Sequence, residues 1–111
     1  MKFTSPIPLP VERSLIRLGK AMSLARRRRH FTQADIAERI GASTQTVRRM
    51  EAGHPGTALV HLARALQVLG ELDTFNRLLE TPSDTIGLIL MDERVPQRIR
   101  KSRKYPTAGG L

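Results

Sequence analysis

One stretch in the first half of the chain, TQADIAERIGASTQTVRRMEAG from Thr32 to Gly53, constrains the fold most. It carries start and stop signals for two short helices in direct succession. Thr32 and Ser43 are residue types that favour helix N-termini, and Asp35 completes a capping box with Thr32. Gly41 and Gly53 are natural stops after each helix. The stretch therefore predicts two short helices separated by a tight turn.

The apolar residues of this stretch are spaced so that the two helices can pack on each other. Ile36, Ile40, Val47 and Met50 supply the packing, and the small Ala37 allows close approach. Two short helices joined by a glycine-containing turn form the helix-turn-helix motif, whose second helix enters the major groove of DNA. We therefore expect residues 44–52 to form a recognition helix.

The outward face of this second helix follows from a rotation of about 100° per residue. If Val47 and Met50 face inward, then Gln45 and Arg49 face outward, and Thr44 lies near the N-terminal end. Gln and Arg can bond bidentately to adenine and guanine edges. We predict base reading by Thr44, Gln45 and Arg49. The predicted phosphate contacts are Arg26, Arg27, Arg28, Arg29, Gln33, Thr46 and Arg48. Glu51 lies on the buried side, and we expect it to pair with an arginine of the first helix.

The charge supports a polyanion partner. The chain has 111 residues and a net charge of +9. Cations exceed acids in residues 1–56 and 94–111, whereas acids exceed cations in residues 57–93. Two basic segments around an acidic, apolar middle predict a nucleic-acid-binding face and a second surface with another task.

The rest of the chain also predicts helices, so that we expect an all-α fold. Residues 1–12 are proline-rich and predict an extended arm. Apolar stripes predict helices over residues 13–29, 58–69 and 72–79, the last burying Leu72, Phe75, Leu78 and Leu79. Residues 81–84 predict a helix start around Pro82. The apolar run 86–91 fits a helix or a short buried strand, and we favour the helix. Residues 96–111 predict a basic, flexible tail.

The residues of the central stretch resemble the helix-turn-helix family that includes the Cro and phage-repressor proteins. The matching positions are Thr32, Gln33, Ile36, Ala37, Gly41, Ala42, Ser43, Val47, Met50, Glu51, Gly53 and the Leu62–Leu66 stripe. The resemblance covers residues 15–69 and implies a five-helix, lambda-repressor-like bundle with a C-terminal extension. It also implies DNA contacts at the positions of Gln33, Thr44, Gln45, Thr46 and Arg49.

A narrower resemblance covers roughly residues 9–100. It is to the antitoxins encoded beside Hip-type serine/threonine kinase toxins. The positions that carry it are Leu18, Gly19, Ala25, Arg26, Arg28, Arg29, Glu51 to Gly53, Ala65, Leu66, Leu69, Gly70, Asp84 to Gly87 and Asp92 to Arg98. The resemblance implies a homodimeric repressor that binds its own operator and a Hip-type kinase.

The apolar middle of the chain predicts a dimer or partner surface over residues 71–95, because it is more apolar than a small monomer needs. Its candidate contact residues are Leu72, Phe75, Leu79, Ile86 and Leu90. Together with the arm, the DNA-binding domain (13–70) and the tail, this segment completes the predicted domain organisation.

Several function classes are disfavoured. The absence of cysteine removes thiol chemistry, the three histidines lack metal-ligand spacing, and no nucleophile motif or glycine-rich phosphate loop is present, so we expect neither enzyme activity nor a cofactor. With no apolar run of membrane length and no signal-like segment, we expect a cytoplasmic protein without a membrane partner.

We predict a dimeric repressor that binds double-stranded operator DNA, and within that class an antitoxin. One alternative is a stand-alone phage-repressor-type regulator without a kinase partner. A second is a protein-interaction module whose basic charge is incidental. RNA binding is a weaker alternative, because few aromatic residues are available for base stacking.

Overall fold

The computed structural model describes residues 6–80 and 86–99, and every regular element in these two ranges is an α-helix. The helices are α1 (Leu9–Arg28), α2 (Gln33–Ile40), α3 (Thr44–Glu51), α4 (Leu59–Val68), α5 (Leu72–Asn76) and α6 (Ile86–Glu93). The chain divides into two compact units between Leu78 and Leu79, so that α1 to α5 form one unit and α6 lies in the other. The predicted all-α, five-helix class with a C-terminal extension is confirmed, as is the helix at residues 86–91.

In the first unit, α2 packs against α3 and α4, and α1 packs against α3, so that the core lies among these four helices. Its buried apolar residues are Met22, Ile36, Ala37, Ile40, Val47, Met50, Ala65 and Leu69. The four larger residues predicted to join the two short helices are all in this set, and so is Ala37. Because α2 and α3 bury their apolar faces in this core, their polar faces remain exposed to solvent or a ligand.

The ends of α2 and α3 are fixed by the caps that the sequence predicts. The Thr32 hydroxyl accepts from the Asp35 backbone N–H at 3.0 Å, and the Asp35 carboxylate accepts from the Thr32 N–H at 2.8 Å. Gly41 ends α2 with φ +70°, a left-handed backbone that favours glycine. Ser43 caps α3 by accepting from the Thr46 N–H at 3.1 Å. These local bonds set the direction in which α3 leaves the turn.

Helix α1 crosses the C-terminal end of α3 at Gly19. This glycine is buried, and a Cβ placed on it would overlap the backbone carbonyl group of Glu51. Gly53, just after α3, makes a second close approach to α1. Its φ is +80°, and a Cβ there would overlap the α1 backbone at Ile16. The two helices therefore meet backbone to backbone, which no larger residue at either position would allow without movement.

The structure corrects two predicted boundaries. Helix α1 begins at Leu9 with Pro8 as its N-cap residue, so the prediction of an extended arm is wrong for residues 9–12. Proline is compatible with a first helical turn, since the N–H groups there have no partner inside the helix. Residues 1–5 lie outside the described part of the chain.

The second correction concerns α5, which ends at Asn76 instead of residue 79. Leu79 takes a left-handed backbone with φ +60°, which a continuing helix does not allow. Leu78 is 66% exposed and Leu79 fully exposed, so the predicted burial of these two side chains is wrong. The predicted helix start at Pro82 lies outside the described residues.

Among the described residues, no helix combines the length and the hydropathy that crossing a membrane requires.

Candidate nucleic-acid interface

The outward face of α3 presents polar side chains to solvent. Gln45, Arg48 and Arg49 are exposed, whereas Val47 and Met50 are buried beneath them. The calculated orientation of the helix is therefore confirmed. Two exposed arginines and an amide on one short helix form a surface rich in hydrogen-bond donors, the type of surface that recognises base edges and phosphates.

The two threonines at the start of α3 are half-buried. The Thr46 hydroxyl lies 3.0 Å from the hydroxyl of Ser43, so it takes part in the cap of the helix. Thr44 is the first residue of α3. Both threonines lie at the N-terminal end of α3. In a helix-turn-helix, this end of the recognition helix enters the major groove.

Gln45 and Arg48 are joined on this surface. The Nη1 atom of Arg48 donates to the Oε1 atom of Gln45 at 2.7 Å. Arg49 lies on the other side of Gln45, and its guanidinium makes no hydrogen bond or ion pair to any residue in the described part of the chain. The arginine predicted to read bases is thus available to a ligand, whereas the carbonyl end of Gln45 already has a partner.

Behind α3, a charged network joins it to α1. Arg26 forms a bidentate pair with Glu51, through Nε to Oε2 at 2.7 Å and Nη2 to Oε1 at 3.0 Å. The remaining Nη1 atom donates to the Phe31 carbonyl at 2.9 Å. The side chains of Arg26 and Glu51 are only 12% and 9% exposed. The structure confirms the predicted pairing of Glu51 with an arginine of the first helix.

The same network corrects the prediction for Arg26. All three guanidinium nitrogens face partners inside the domain, so this side chain is not offered to a phosphate. A run of four arginines in the sequence does not reveal which one turns inward. The signal that could have identified it is the spacing: Arg26 lies seven residues, about two turns, after Gly19, on the same face of α1.

The environment of Glu51 shifts its protonation equilibrium. Burial raises the pKa of this carboxyl, but hydrogen bonds from Arg26, Gln33 and Ser23 and the charge of Arg26 together lower the pKa below its ordinary value. The hydrogen bond to Glu51 likewise raises the pKa of Arg26, against the opposing effect of burial. Both groups are therefore charged at neutral pH, which a buried pair requires if it is to hold two helices together.

Gln33, predicted as a phosphate contact, belongs to this network. Its Nε2 atom donates to Oε1 of Glu51 at 3.0 Å, which fixes the amide at the start of α2. The second N–H of the amide remains for another acceptor. Glu51 therefore contacts side chains from both elements that precede the recognition helix.

The other arginines at the end of α1 are exposed. Arg27 and Arg28 make no side-chain hydrogen bond or ion pair within the described ranges. Arg29 turns one nitrogen back to the Ala25 carbonyl at 2.7 Å, where it satisfies the helix end. Three of the four predicted arginines thus remain on the surface.

Two contacts around the site were not foreseen from the sequence. Arg64 of α4 donates to the Ile40 carbonyl at 3.1 Å and so closes the C-terminal end of α2. The His54 Nδ1 atom accepts from the Gly56 N–H at 2.9 Å and shapes the loop after α3. Arg64 acts through the tertiary position of α4, so no local pattern signals its role, whereas the bond of His54 is local to the loop.

The predicted dimer or partner residues differ in exposure. Leu72 and Phe75 are half-buried in α5, whereas Leu79 is fully exposed. Within the second unit, Leu90 is 52% exposed, and the side chain of Ile86 lies outside the described part of the chain. The structure contains a single chain, so these residues stay a prediction.

Comparison with known proteins gives one match. A family model described as helix-turn-helix matches residues 22–74, which run from within α1 into α5. No curated protein and no solved structure gives a significant match. The matched region contains α2, the turn and α3, together with the charged network behind them. The match and the fold agree on a helix-turn-helix, a motif whose second helix binds in the major groove of DNA.

Proposed function

We propose that this protein is a sequence-specific repressor that binds double-stranded DNA. The observation that carries the proposal is the exposed face of α3, on which Gln45 and Arg49 project from a helix held by its buried side. Arg is suited to the O6 and N7 atoms of guanine, and the amide of Gln is suited to base edges as well. A rigid helix with such side chains matches the requirements of major-groove recognition.

In this proposal, α3 lies in the major groove and Thr44, Gln45 and Arg49 read base edges. Arg27, Arg28, Arg29, Gln33, Thr46 and Arg48 contact phosphates and fix the position of α3 on the duplex. Binding across a promoter blocks access of RNA polymerase. The Arg26–Glu51 pair contributes indirectly, because it holds α1 and α3 in one arrangement.

The test is a titration of the purified chain onto its own upstream DNA and onto a scrambled duplex of equal composition, each at two salt concentrations. A specific repressor binds the upstream fragment at least about a thousandfold more tightly. Equal and strongly salt-dependent binding to both would leave only non-specific attraction to polyanions. If the chain bound neither duplex at low salt, the result would favour the alternative of a protein-interaction module whose basic charge is incidental.

We further propose a homodimer that pairs through the apolar middle of the chain. One small recognition module gives limited specificity, whereas two modules related by a two-fold axis read half-sites about 34 Å apart. Leu79 and Leu90 both belong to the second unit, where Leu79 is fully exposed and Leu90 is 52% exposed. Their segment is acidic, so the two copies would not bring basic patches together. Mass determination in the titration buffer tests the dimer directly.

The antitoxin role is the finest part of the proposal. It depends on the sequence resemblance to antitoxins of Hip-type kinases, which extends through Asp92 to Arg98 after the DNA-binding domain. The proposed partner is a Hip-type serine/threonine kinase, which the repressor binds and neutralises. Co-expression with the kinase from a neighbouring gene tests this: the two should co-purify, and kinase activity should fall. A repressor that binds its operator without any such kinase would be a stand-alone regulator.

A further inference from the structure

Three side chains of α3 form one outward group, and Gln45 lies between the other two. At about 100° per residue, Arg48 and Arg49 are rotated by about 60° and 40° to opposite sides of Gln45, one turn further along the helix. All three are exposed. Arg48 donates to the Gln45 oxygen at 2.7 Å, whereas Arg49 is unbonded to the described residues. The arrangement is therefore asymmetric, because only one of the two neighbouring arginines is bonded to Gln45.

The bond changes what Gln45 can offer to a ligand. A glutamine amide has a carbonyl that accepts and an NH₂ group that donates. A bidentate contact to adenine uses both at once, with the oxygen on N6 and the nitrogen on N7. Here a charged donor one turn along the helix takes one of the two lone pairs of this oxygen, and charge-assisted bonds of this kind are stronger than neutral ones. The NH₂ group is the part of the amide that has no partner.

We infer that Arg48 is a positioning residue that holds the oxygen of Gln45, so that Gln45 meets the DNA mainly with N–H donors and prefers guanine to adenine. Guanine presents two neighbouring acceptors in the major groove, O6 and N7. Adenine presents one acceptor, N7, beside an N6 donor that would have to share the Gln45 oxygen with Arg48. Together with Arg49, which also only donates, α3 then recognises neighbouring acceptor-rich edges. This inference rests on the proposed DNA-binding function and adds a base preference to it.

The remaining nitrogens of Arg48 leave room for the phosphate contact predicted from the sequence. A guanidinium has five N–H donors, and one of them is used on Gln45. The two roles make different predictions. Loss of a phosphate contact weakens binding to all sequences alike, whereas loss of the bond to Gln45 changes which base is preferred at one position.

The experiment is selection of bound duplexes from a randomised pool with the wild-type chain, followed by binding measurements on duplexes that differ at single base pairs. Gln45→Ala identifies the base pair that Gln45 faces, as the position where preference disappears. At that position we expect the wild type to favour guanine over adenine by about tenfold. Arg48→Met keeps an unbranched aliphatic stem without the donors, and it should shift the preference toward adenine by a similar factor.

Two control variants separate positioning from charge. Arg48→Lys keeps a charged donor of similar reach and should retain the wild-type preference. Arg28→Met removes one exposed charge far from Gln45 along the chain and should lower affinity without altering base preference. Thermal unfolding of each variant shows whether the fold is intact.

The outcomes distinguish this inference from the proposed function. A wild-type preference for adenine at the Gln45 position, or an Arg48→Met variant that binds more weakly but prefers the same bases, would overturn the positioning role while leaving the repressor intact. A wild-type chain that selects no sequence at all would overturn both.

Discussion

The guanidinium of Arg26 and the carboxylate of Glu51 form a bidentate pair, with Nε and Oε2 2.7 Å apart, between the long first helix and the end of the recognition helix. The residues are 25 positions apart in sequence, so the pair is a tertiary contact and not part of one helix. It converts a charge that the sequence assigns to DNA binding into a structural link. The face of α3 that we propose to read DNA therefore depends on a side chain that lies behind it.

Removal of one partner from this pair should destabilise the domain strongly. Arg26→Met is expected to lower the free energy of unfolding by about 3 kcal/mol, because it leaves the Glu51 carboxylate buried without a counter-charge. Chemical denaturation of Arg26→Met, of Glu51→Gln and of the double variant Arg26→Met/Glu51→Gln measures the coupling free energy between the two side chains. Arg27→Met is the matched control, since its side chain is exposed, and it should change stability by less than about 0.5 kcal/mol. Equal effects of Arg26→Met and Arg27→Met would contradict an internal role for Arg26.

The lowered pKa of Glu51 predicts loss of stability in acid. A carboxyl whose pKa is lower in the folded chain than in the unfolded chain stabilises the fold above the unfolded value of about 4.3. This contribution is lost as the pH falls through the folded-state pKa, because the carboxylate then takes up a proton. The pKa of Asp35 is also lowered, first by its hydrogen bond from the Thr32 backbone, so it acts in the same direction.

Unfolding free energies measured between pH 7 and pH 3 test this prediction. The wild type should lose stability below about pH 4.3, and Glu51→Gln should show a shallower dependence from a lower starting value. Asp35→Asn serves as the comparison for the exposed capping carboxylate. An acid dependence that Glu51→Gln leaves unchanged would show that the pair is not the source.

The close approach at Gly19 predicts intolerance of even one methyl group. Gly19→Ala would place a Cβ against the backbone of Glu51, which cannot move without shifting α3. We expect a loss of about 1–3 kcal/mol, although alanine is the better helix former. Lys20→Ala, at the exposed neighbouring position of the same helix, is the control and should be nearly neutral. Thermal melting curves measure the loss of stability. A Gly19→Ala variant as stable as the wild type would show that α1 and α3 can move apart at this contact without cost.

Arg49→Ala should cost about 1–3 kcal/mol on the operator and little on random duplex, because base contacts are lost and phosphate contacts are kept. Binding isotherms on both duplexes measure the difference. Uniform weakening on the two duplexes would show that Arg49 reads no base.

The double variant Arg27→Ala/Arg28→Ala should weaken binding to every duplex. If both side chains neutralise phosphates, the slope of log K against log salt falls by about 1.8, since each contact contributes about 0.9. Titrations at four or more salt concentrations give the slope. An unchanged slope would remove these residues from the interface.

Much of the DNA-binding unit could be predicted from sequence because its signals are local. Caps at Thr32 and Ser43, the glycine stop at Gly41 and the stripe of Val47 and Met50 act within a few residues. Periodicity also gave the outward direction of Gln45 and Arg49, because one turn of helix fixes it.

The remainder depends on contacts between distant residues. Which of four arginines turns inward is decided by the position of Glu51, 25 residues further along the chain. The role of Arg64 follows from where α4 lies against the end of α2. No window of sequence contains both members of any of these relationships.

Glu51 contacts α1 twice, through its backbone at Gly19 and through its carboxylate at Arg26, about two turns apart. Two attachment points fix both the position and the direction of one helix against another, so the arginines after Arg26 and the side chains of α3 keep a constant separation. In the proposed function, a constant separation favours a duplex whose major groove admits α3. A double-stranded RNA of the operator sequence has a deep, narrow major groove, which side chains cannot read. The same two contacts should therefore make the protein discriminate between DNA and RNA by helix form, before any base is compared.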